Sequence, residues 1–174
     1  MDLGLLLLRL VLGALLAGHG AQKLFGAFGG HGLEGTGGFF ASVGFRPGKP
    51  MALVAGLTEL GAGVLLALGL LTPLAAAGVI GTLLVAASVH VAQGLWGANG
   101  GYELPLVYVV LGAVLALTGP GAYSLDALLG LQFGLAYGLG AIALGLLAGI
   151  IVIARAKAAL RSDAPAEVPA DATV

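Results

Sequence analysis

Residues 3–25 read LGLLLLRLVLGALLAGHGAQKLF, and this stretch decides the class of fold. A helix of this length is about 34 Å long at a rise of 1.5 Å per residue, which is enough to cross a hydrocarbon core of about 30 Å. The whole chain of 174 residues is 59% hydrophobic and 9% charged, whereas soluble domains carry about 25% charged residues. The sequence therefore predicts an integral membrane protein with the lipid bilayer as its main partner.

Proline and glycine separate four more apolar stretches, at residues 51–71, 73–93, 104–118 and 125–157. Proline disfavours helix in the preceding residue and is tolerated in a first turn, so Pro73 marks a break between two helices. We predict an all-α transmembrane bundle of about five spans, forming one domain over residues 1–154. The polar residues 155–174, rich in alanine and proline, are predicted to form a disordered tail.

The cationic residues predict the orientation of the bundle, because short cytoplasmic loops carry an excess of Lys and Arg. Apart from Arg9, they lie in two regions, one after the first span (Lys23, Arg46, Lys49) and one at the end of the last span (Arg155, Lys157, Arg161). Five spans place both regions on one side, so we predict an outside N-terminus and a cytoplasmic C-terminus. The first residues lack the basic region of a cleavable signal, so the first helix is expected to be retained.

The connection between the first two spans is too long for an idle loop. Residues 36–43, TGGFFASV, predict a short interfacial helix whose Phe39 and Phe40 enter the lipid, with a plain glycine-rich loop as the alternative. Trp96 and Tyr102 are predicted to be further interfacial anchors, since amphipathic aromatic rings favour the headgroup level.

Few ionisable residues lie inside the spans. At about 100° per residue, Arg9, His19 and Lys23 share one face of the first helix. An unpaired charge at the bilayer centre costs about 2.5–3.5 kcal/mol, so this face should turn inward. Glu59 lies near the middle of the second span among small residues. We therefore predict a buried ion pair between Arg9 and Glu59.

Further polar residues are expected near the inner ends of the spans. They predict a polar pocket formed by His19, Lys23, Glu59, His90, Tyr102 and Glu103. The alternative is a structural network of hydrogen bonds and ion pairs that locks the bundle. The sequence offers two histidines at similar depth but no closely spaced ligand pair, so neither a haem nor a zinc site is predicted.

The composition limits the chemistry of the chain. Without cysteine it forms no disulfide, thiolate metal site or thiol relay of its own. The net charge is −1 and there is no basic block, so nothing indicates nucleic acid as a partner. Small residues in the last span share one face and predict bundle packing or, alternatively, a homo-oligomer seam: Gly134, Gly138, Ala141, Gly145 and Gly149.

Several motifs, taken in order, resemble the DoxX family of small bacterial membrane proteins. They are GHGAQKLFG at 18–26, GTGGFF at 35–40, ELGAG at 59–63, LGLLTP at 68–73, GGYE at 100–103 and GPGAYSLD at 119–126. Together with Arg9 and Trp96, they extend the resemblance over residues 4–126. The resemblance implies a helical core of about four spans in the bacterial inner (plasma) membrane, with the fifth span outside the family pattern.

The resemblance implies function only broadly, because one fold hosts several functions. Relatives of the family's namesake are membrane subunits of thiosulfate:quinone oxidoreductases, and others are associated with redox defence or resemble membrane chaperones. We predict an accessory subunit of a quinone-linked redox system, with a quinone and a soluble redox partner; whether the chain itself is an enzyme stays open. The alternatives are a non-catalytic scaffold or assembly factor and a small-molecule carrier, although no paired broken helices indicate transport.

Overall fold

A computed structural model describes residues 1–163 of the chain. These residues contain no strand and form seven α-helices, which are α1 (Asp2–Phe25), α2 (Gly32–Ser42), α3 (Gly48–Leu68), α4 (Thr72–Val89), α5 (Glu103–Thr118), α6 (Leu125–Leu128) and α7 (Leu135–Ser162). By length and composition, α1, α3, α4 and α7 are able to cross a membrane. The predicted all-α class is confirmed.

The first end of the bundle is defined by contacts between the start of α1 and the segments that connect other helices. The start of α1 lies there beside the connection between α5 and α6, since Asp2 Oδ1 accepts a hydrogen bond from Ala122 N at 2.9 Å. The turn between α3 and α4 lies at the same end, because Leu71 N donates to Asp126 Oδ1 at 2.7 Å. Three separate parts of the chain therefore meet at this end.

The second end holds the connection between α1 and α3 and the C-terminus of α7. Arg46 Nη1 lies 2.5 Å from Asp163 Oδ2 in an ion pair that joins these two parts. The chain reaches this end through α4, and α5 returns to the first end beside the start of α1. Five helices therefore run between the two ends, although α5, at 16 residues, is only about 24 Å long.

Glycines allow the closest contacts between helices. α1 packs along α3, and a Cβ atom on Gly13, Gly20 or Gly63 would lie 2.5 Å from backbone atoms of the facing helix. α7 packs on α4 in the same way, since a Cβ on Gly145 would lie 2.7 Å from Ala77 O. In lipid such close backbone approach is a main source of packing energy. Gly138, Ala141, Gly145 and Gly149 are buried inside the bundle, as the prediction of bundle packing requires, whereas Gly134 precedes α7 and is exposed. These four residues are therefore not available as a homo-oligomer seam.

The last predicted helix is interrupted. One helix was expected over 125–157, but α6 ends at Leu128, Gly130 adopts a φ of 67°, and α7 begins at Leu135. A positive φ suits glycine and ends a helix. The chain therefore crosses the first end in a short helix and a non-helical segment before α7 turns back.

Two other boundaries differ from the prediction. The helix predicted in the first connection is confirmed as α2, which begins four residues earlier, at Gly32. α7 remains helical to Ser162, so the prediction that residues 155–162 are disordered is wrong. The remainder of the predicted tail, residues 164–174, lies outside the described residues.

Candidate ligand-binding groove

An open groove of 810 Å³ runs along one side of the bundle. α4 forms its floor, α3 and α7 form its walls, and α2 lies across it toward the second end. This volume falls within the range of about 300–1,000 Å³ that is usual for ligand sites. Most of the lining is apolar or glycine, and the polar lining residues are Gln22, Lys23, His31, Thr36, Thr58, Glu59, Thr82 and His90.

A buried ion pair lies where α1 and α3 meet at the groove. Lys23 Nζ is 2.5 Å from Glu59 Oε2, and the two side chains are 24% and 4% exposed. The antiparallel helices touch at Gly20 and Gly56, so the last turn of α1 lies beside the middle of α3. The flexible Lys23 stem reaches the carboxylate from there. Each charge thereby gains a partner inside an apolar bundle.

The pair retains unused hydrogen-bonding capacity. Among the described residues, Glu59 Oε1 accepts no hydrogen bond and Lys23 Nζ donates only to Glu59. An ammonium carries three N–H donors, and both oxygens of a carboxylate accept. Since both residues line the groove, a ligand at this point would meet charged donors and a charged acceptor together.

Several other polar groups of the groove already have partners in the protein. The hydroxyls of Thr58 and Thr82 donate to carbonyl oxygens of their own helices at 2.8 and 2.7 Å. His90 Nδ1 lies 2.9 Å from Gly100 O in the connection between α4 and α5. The side chains of His31 and Thr36 make no hydrogen bond among the described residues. The ion pair is the strongest polar feature available to a ligand because both of its groups are charged.

His19 lies outside the groove, although it was predicted to line the pocket. Its Nδ1 is 3.0 Å from Gln22 Oε1, and its ring meets Tyr108 of α5 edge-on, with the ring centroids 6.5 Å apart. His90, which was also predicted to line the pocket, does line the groove. Within residues 1–163, no three His, Asp or Glu side chains lie close enough to hold a metal ion.

Tyr102 and Glu103 also lie outside the groove. Tyr102 directly precedes α5 and Glu103 is its first residue. Glu103 Oε2 accepts a hydrogen bond from Gly97 N at 2.8 Å and so closes the connection between α4 and α5. Of the six residues predicted to form the pocket, only Lys23, Glu59 and His90 line the groove.

The predicted ion pair between Arg9 and Glu59 is absent. Arg9 is fully buried toward the first end, where Nη1 donates to Leu66 O at 3.3 Å and to Ala67 O at 3.2 Å. These acceptors lie about 11 Å beyond Glu59 along α3. The physical reason is the axial offset of the helices: α3 begins at Gly48, well beyond the end of α1, so its midpoint meets the last turn of α1.

A polar network that the sequence analysis missed stabilises the first end. Arg9 Nη2 donates to Tyr123 O at 2.5 Å. Asp126, only 1% exposed, accepts hydrogen bonds from Leu71 N, Thr72 N and Thr72 Oγ1 at 2.7, 3.0 and 2.7 Å. A carboxylate at this position satisfies free N–H groups at the start of α4 and suits the helix dipole. The available signal was an aspartate within an apolar stretch, five residues after the end of a Gly-Pro-Gly turn.

The four predicted lipid anchors differ in exposure. Trp96 and Phe39 are 63% and 50% exposed, whereas Phe40 and Tyr102 are half-buried. Phe40 packs on Phe45 with ring centroids 5.5 Å apart, and both rings line the groove. Contact of these side chains with the membrane interface stays a prediction.

Comparison with known proteins identifies the family. A model of the DoxX family matches residues 4–92, just over half of the chain. The chain belongs to the DoxX family. The match includes α1 to α4, and with them the ion pair and the groove floor, but it stops short of the 4–126 covered by the resemblance. No curated protein and no solved structure matches the chain. This DoxX protein is a multi-pass membrane protein whose apolar helices indicate a lipid environment.

Proposed function

We propose that this DoxX protein is an accessory membrane subunit of a quinone-linked redox system. One observation carries the proposal: the buried Lys23–Glu59 pair, with unused donors and an unused acceptor, opens into an apolar groove. The proposed location is the bacterial plasma membrane, with the cation-rich second end in the cytoplasm because of the positive-inside tendency.

The chemistry of the ion pair suits both forms of a quinone head group. Quinone carbonyl oxygens accept hydrogen bonds from the Lys23 ammonium, and quinol hydroxyls donate to the Glu59 carboxylate. A bound quinone takes up two electrons and two protons as it becomes a quinol. The two side chains orient the head group, and Glu59 Oε1 is the atom that exchanges a proton with it.

The electrons are proposed to come from a soluble redox partner. The chain has no cysteine, so it builds neither a thiol relay nor a cysteine-ligated cluster of its own. The polar part of the groove, where His31 and His90 lie, faces the second end. A partner that docks at the second end therefore lies closer to the head group than a partner that docks at the first end.

A non-catalytic scaffold is the second candidate, and the network at the first end favours it. Arg9 and Asp126 bind backbone groups of the chain itself and need no ligand. A bundle held in this way is able to serve as a platform for assembly. Quinone binding separates the two candidates, because a scaffold has no need of it.

Glu59→Gln is expected to weaken the binding of decylubiquinol about tenfold or more. The substitution removes a charged acceptor, and a hydrogen bond to a charged group contributes about 1.5–3 kcal/mol. Binding of the oxidised form should fall less, because its carbonyls depend on Lys23. The measurement is the dissociation constant for purified protein in nanodiscs, corrected for partition of the quinol into empty nanodiscs.

Glu34→Gln is the matched control for this measurement. Glu34 pairs with Lys49 on the surface and does not line the groove, so its variant should bind as the wild type does. Equal affinity of the Glu59 variant and the wild type for the quinol would contradict the head-group site. No quinone binding to wild-type protein would favour the scaffold.

A further inference from the structure

We infer that the apolar part of the groove is a tail channel, which holds the prenyl tail of the quinone and opens sideways to lipid between α3 and α7. The inference rests on the proposed function, because a head group at Lys23 and Glu59 fixes where the tail begins. It predicts that the ligand arrives from the bilayer and that its affinity depends on the tail.

The sideways opening follows from the packing of the helices. α3 and α7 both pack against α4 but make little contact with each other. Leu57, Leu74 and Leu144, one from each of α3, α4 and α7, line the groove and are 55%, 57% and 55% exposed. In a membrane these side chains meet acyl chains. An apolar chain is therefore able to pass between the groove and the lipid without crossing water.

The lining differs on the two sides of the ion pair. Toward the second end the groove has polar residues, including Gln22, His31 and His90. Toward the first end the tail channel is lined by Gly61, Ala62, Leu65, Leu74, Ala77 and Gly78. The small residues on the floor and wall leave a narrow apolar slot that extends about 9 Å along α3 from Glu59 to Leu65. The tail therefore runs from the ion pair toward the first end.

The depth of the ion pair favours a quinone over a phospholipid as the occupant. Glu59 is the twelfth of the 21 residues of α3, so the polar point lies within the helix and not at its end. A phosphate there would be desolvated and placed beside the Glu59 carboxylate, which is unfavourable. A quinone head group is uncharged and compact, and a single chain follows it into the slot.

Gly61 provides a way to fill the tail channel without disturbing the fold. A Cβ atom on Gly61 meets no atom within 4 Å, and the same holds for Gly140, which lies on α7 outside the groove. Both glycines lie within helices, where other residues are generally favoured over glycine. Gly61→Phe is therefore the channel-filling variant, and Gly140→Phe is its matched control.

The test compares decylubiquinone with the same head group lacking a tail. Both are bound to the full chain in nanodiscs, with correction for partition into empty nanodiscs. Wild-type protein and Gly140→Phe are expected to bind the tailed quinone at least about tenfold more tightly, since the tail gains apolar contacts in the channel. Gly61→Phe is expected to bind both quinones alike, with an affinity for the tail-less quinone close to that of the wild type.

Two results would overturn the tail channel while leaving the head-group site intact. One is an unchanged preference for the tail in Gly61→Phe, and the other is equal binding of both quinones to the wild type. Binding of neither quinone to wild-type protein would contradict the proposed function itself, and the tail channel with it.

Discussion

Arg9→Met is expected to lower the free energy of unfolding by about 3–5 kcal/mol, because it removes a buried cation and leaves its partners in place. The guanidinium donates to the carbonyl oxygens of Leu66, Ala67 and Tyr123. Leu66 O keeps a hydrogen bond from Gly69 N at 3.0 Å, but the carbonyl oxygens of Ala67 and Tyr123 lose their donor. A buried acceptor left unpaired costs about 1–3 kcal/mol. Asp126 also loses a favourable charge nearby. Methionine retains much of the side-chain volume, so lost polar contacts dominate the effect.

The free energy of unfolding in detergent micelles checks this expectation. Arg155→Met makes the same side-chain change at an exposed position of α7, and its effect should stay below about 0.5 kcal/mol. Similar losses in both variants would contradict the stabilising role assigned to Arg9 at the first end.

Lys23→Met is expected to lower the free energy of unfolding by about 2–3 kcal/mol, because the Glu59 carboxylate stays buried without its cation. Glu59→Gln removes that stranded charge. The double variant Lys23→Met/Glu59→Gln should therefore be more stable than Lys23→Met alone. Such non-additivity is the thermodynamic signature of a coupled pair, and a double-mutant cycle measures it.

The exposed pair of Lys49 and Glu34 offers the matched cycle. Its side chains are 56% and 82% exposed, so its coupling energy should be below about 1 kcal/mol. The coupling between Lys23 and Glu59 should exceed it clearly. Additive effects at Lys23 and Glu59, within about 0.5 kcal/mol, would show that the two side chains do not form a buried pair.

Hydropathy and helix breakers were sufficient to predict most of the fold. The bounds of α1 and the break at Pro73 follow directly from the sequence, and five helices traverse the bundle. The interruption between α6 and α7 was missed because residues 129–134, LGLQFG, contain no proline and no charged residue that would mark a break. Hydropathy does not report backbone conformation, and the positive φ of Gly130 depends on how the chain turns at the first end.

The candidate site was only partly predictable. The cost of burying charge identified Lys23 and Glu59 as groups that need partners, but it does not determine which residues face each other. That depends on the axial offset of α1 and α3, which a sequence pattern does not fix. The role of Asp126 was missed for a similar reason, because its hydrogen-bond donors lie more than 50 residues away, at Leu71 and Thr72.

Photolabelling with a quinone that carries a diazirine on its head group tests the proposed ligand site most directly. After irradiation in nanodiscs, mass spectrometry of the digested protein locates the labelled residues. Labels are expected on the last turn of α1 and the middle of α3, around Lys23, Thr58 and Glu59, and an excess of unlabelled decylubiquinone should suppress them. Labels near Arg9 and Asp126 at the first end, or spread evenly over the lipid-facing surface, would contradict a head-group site at the ion pair.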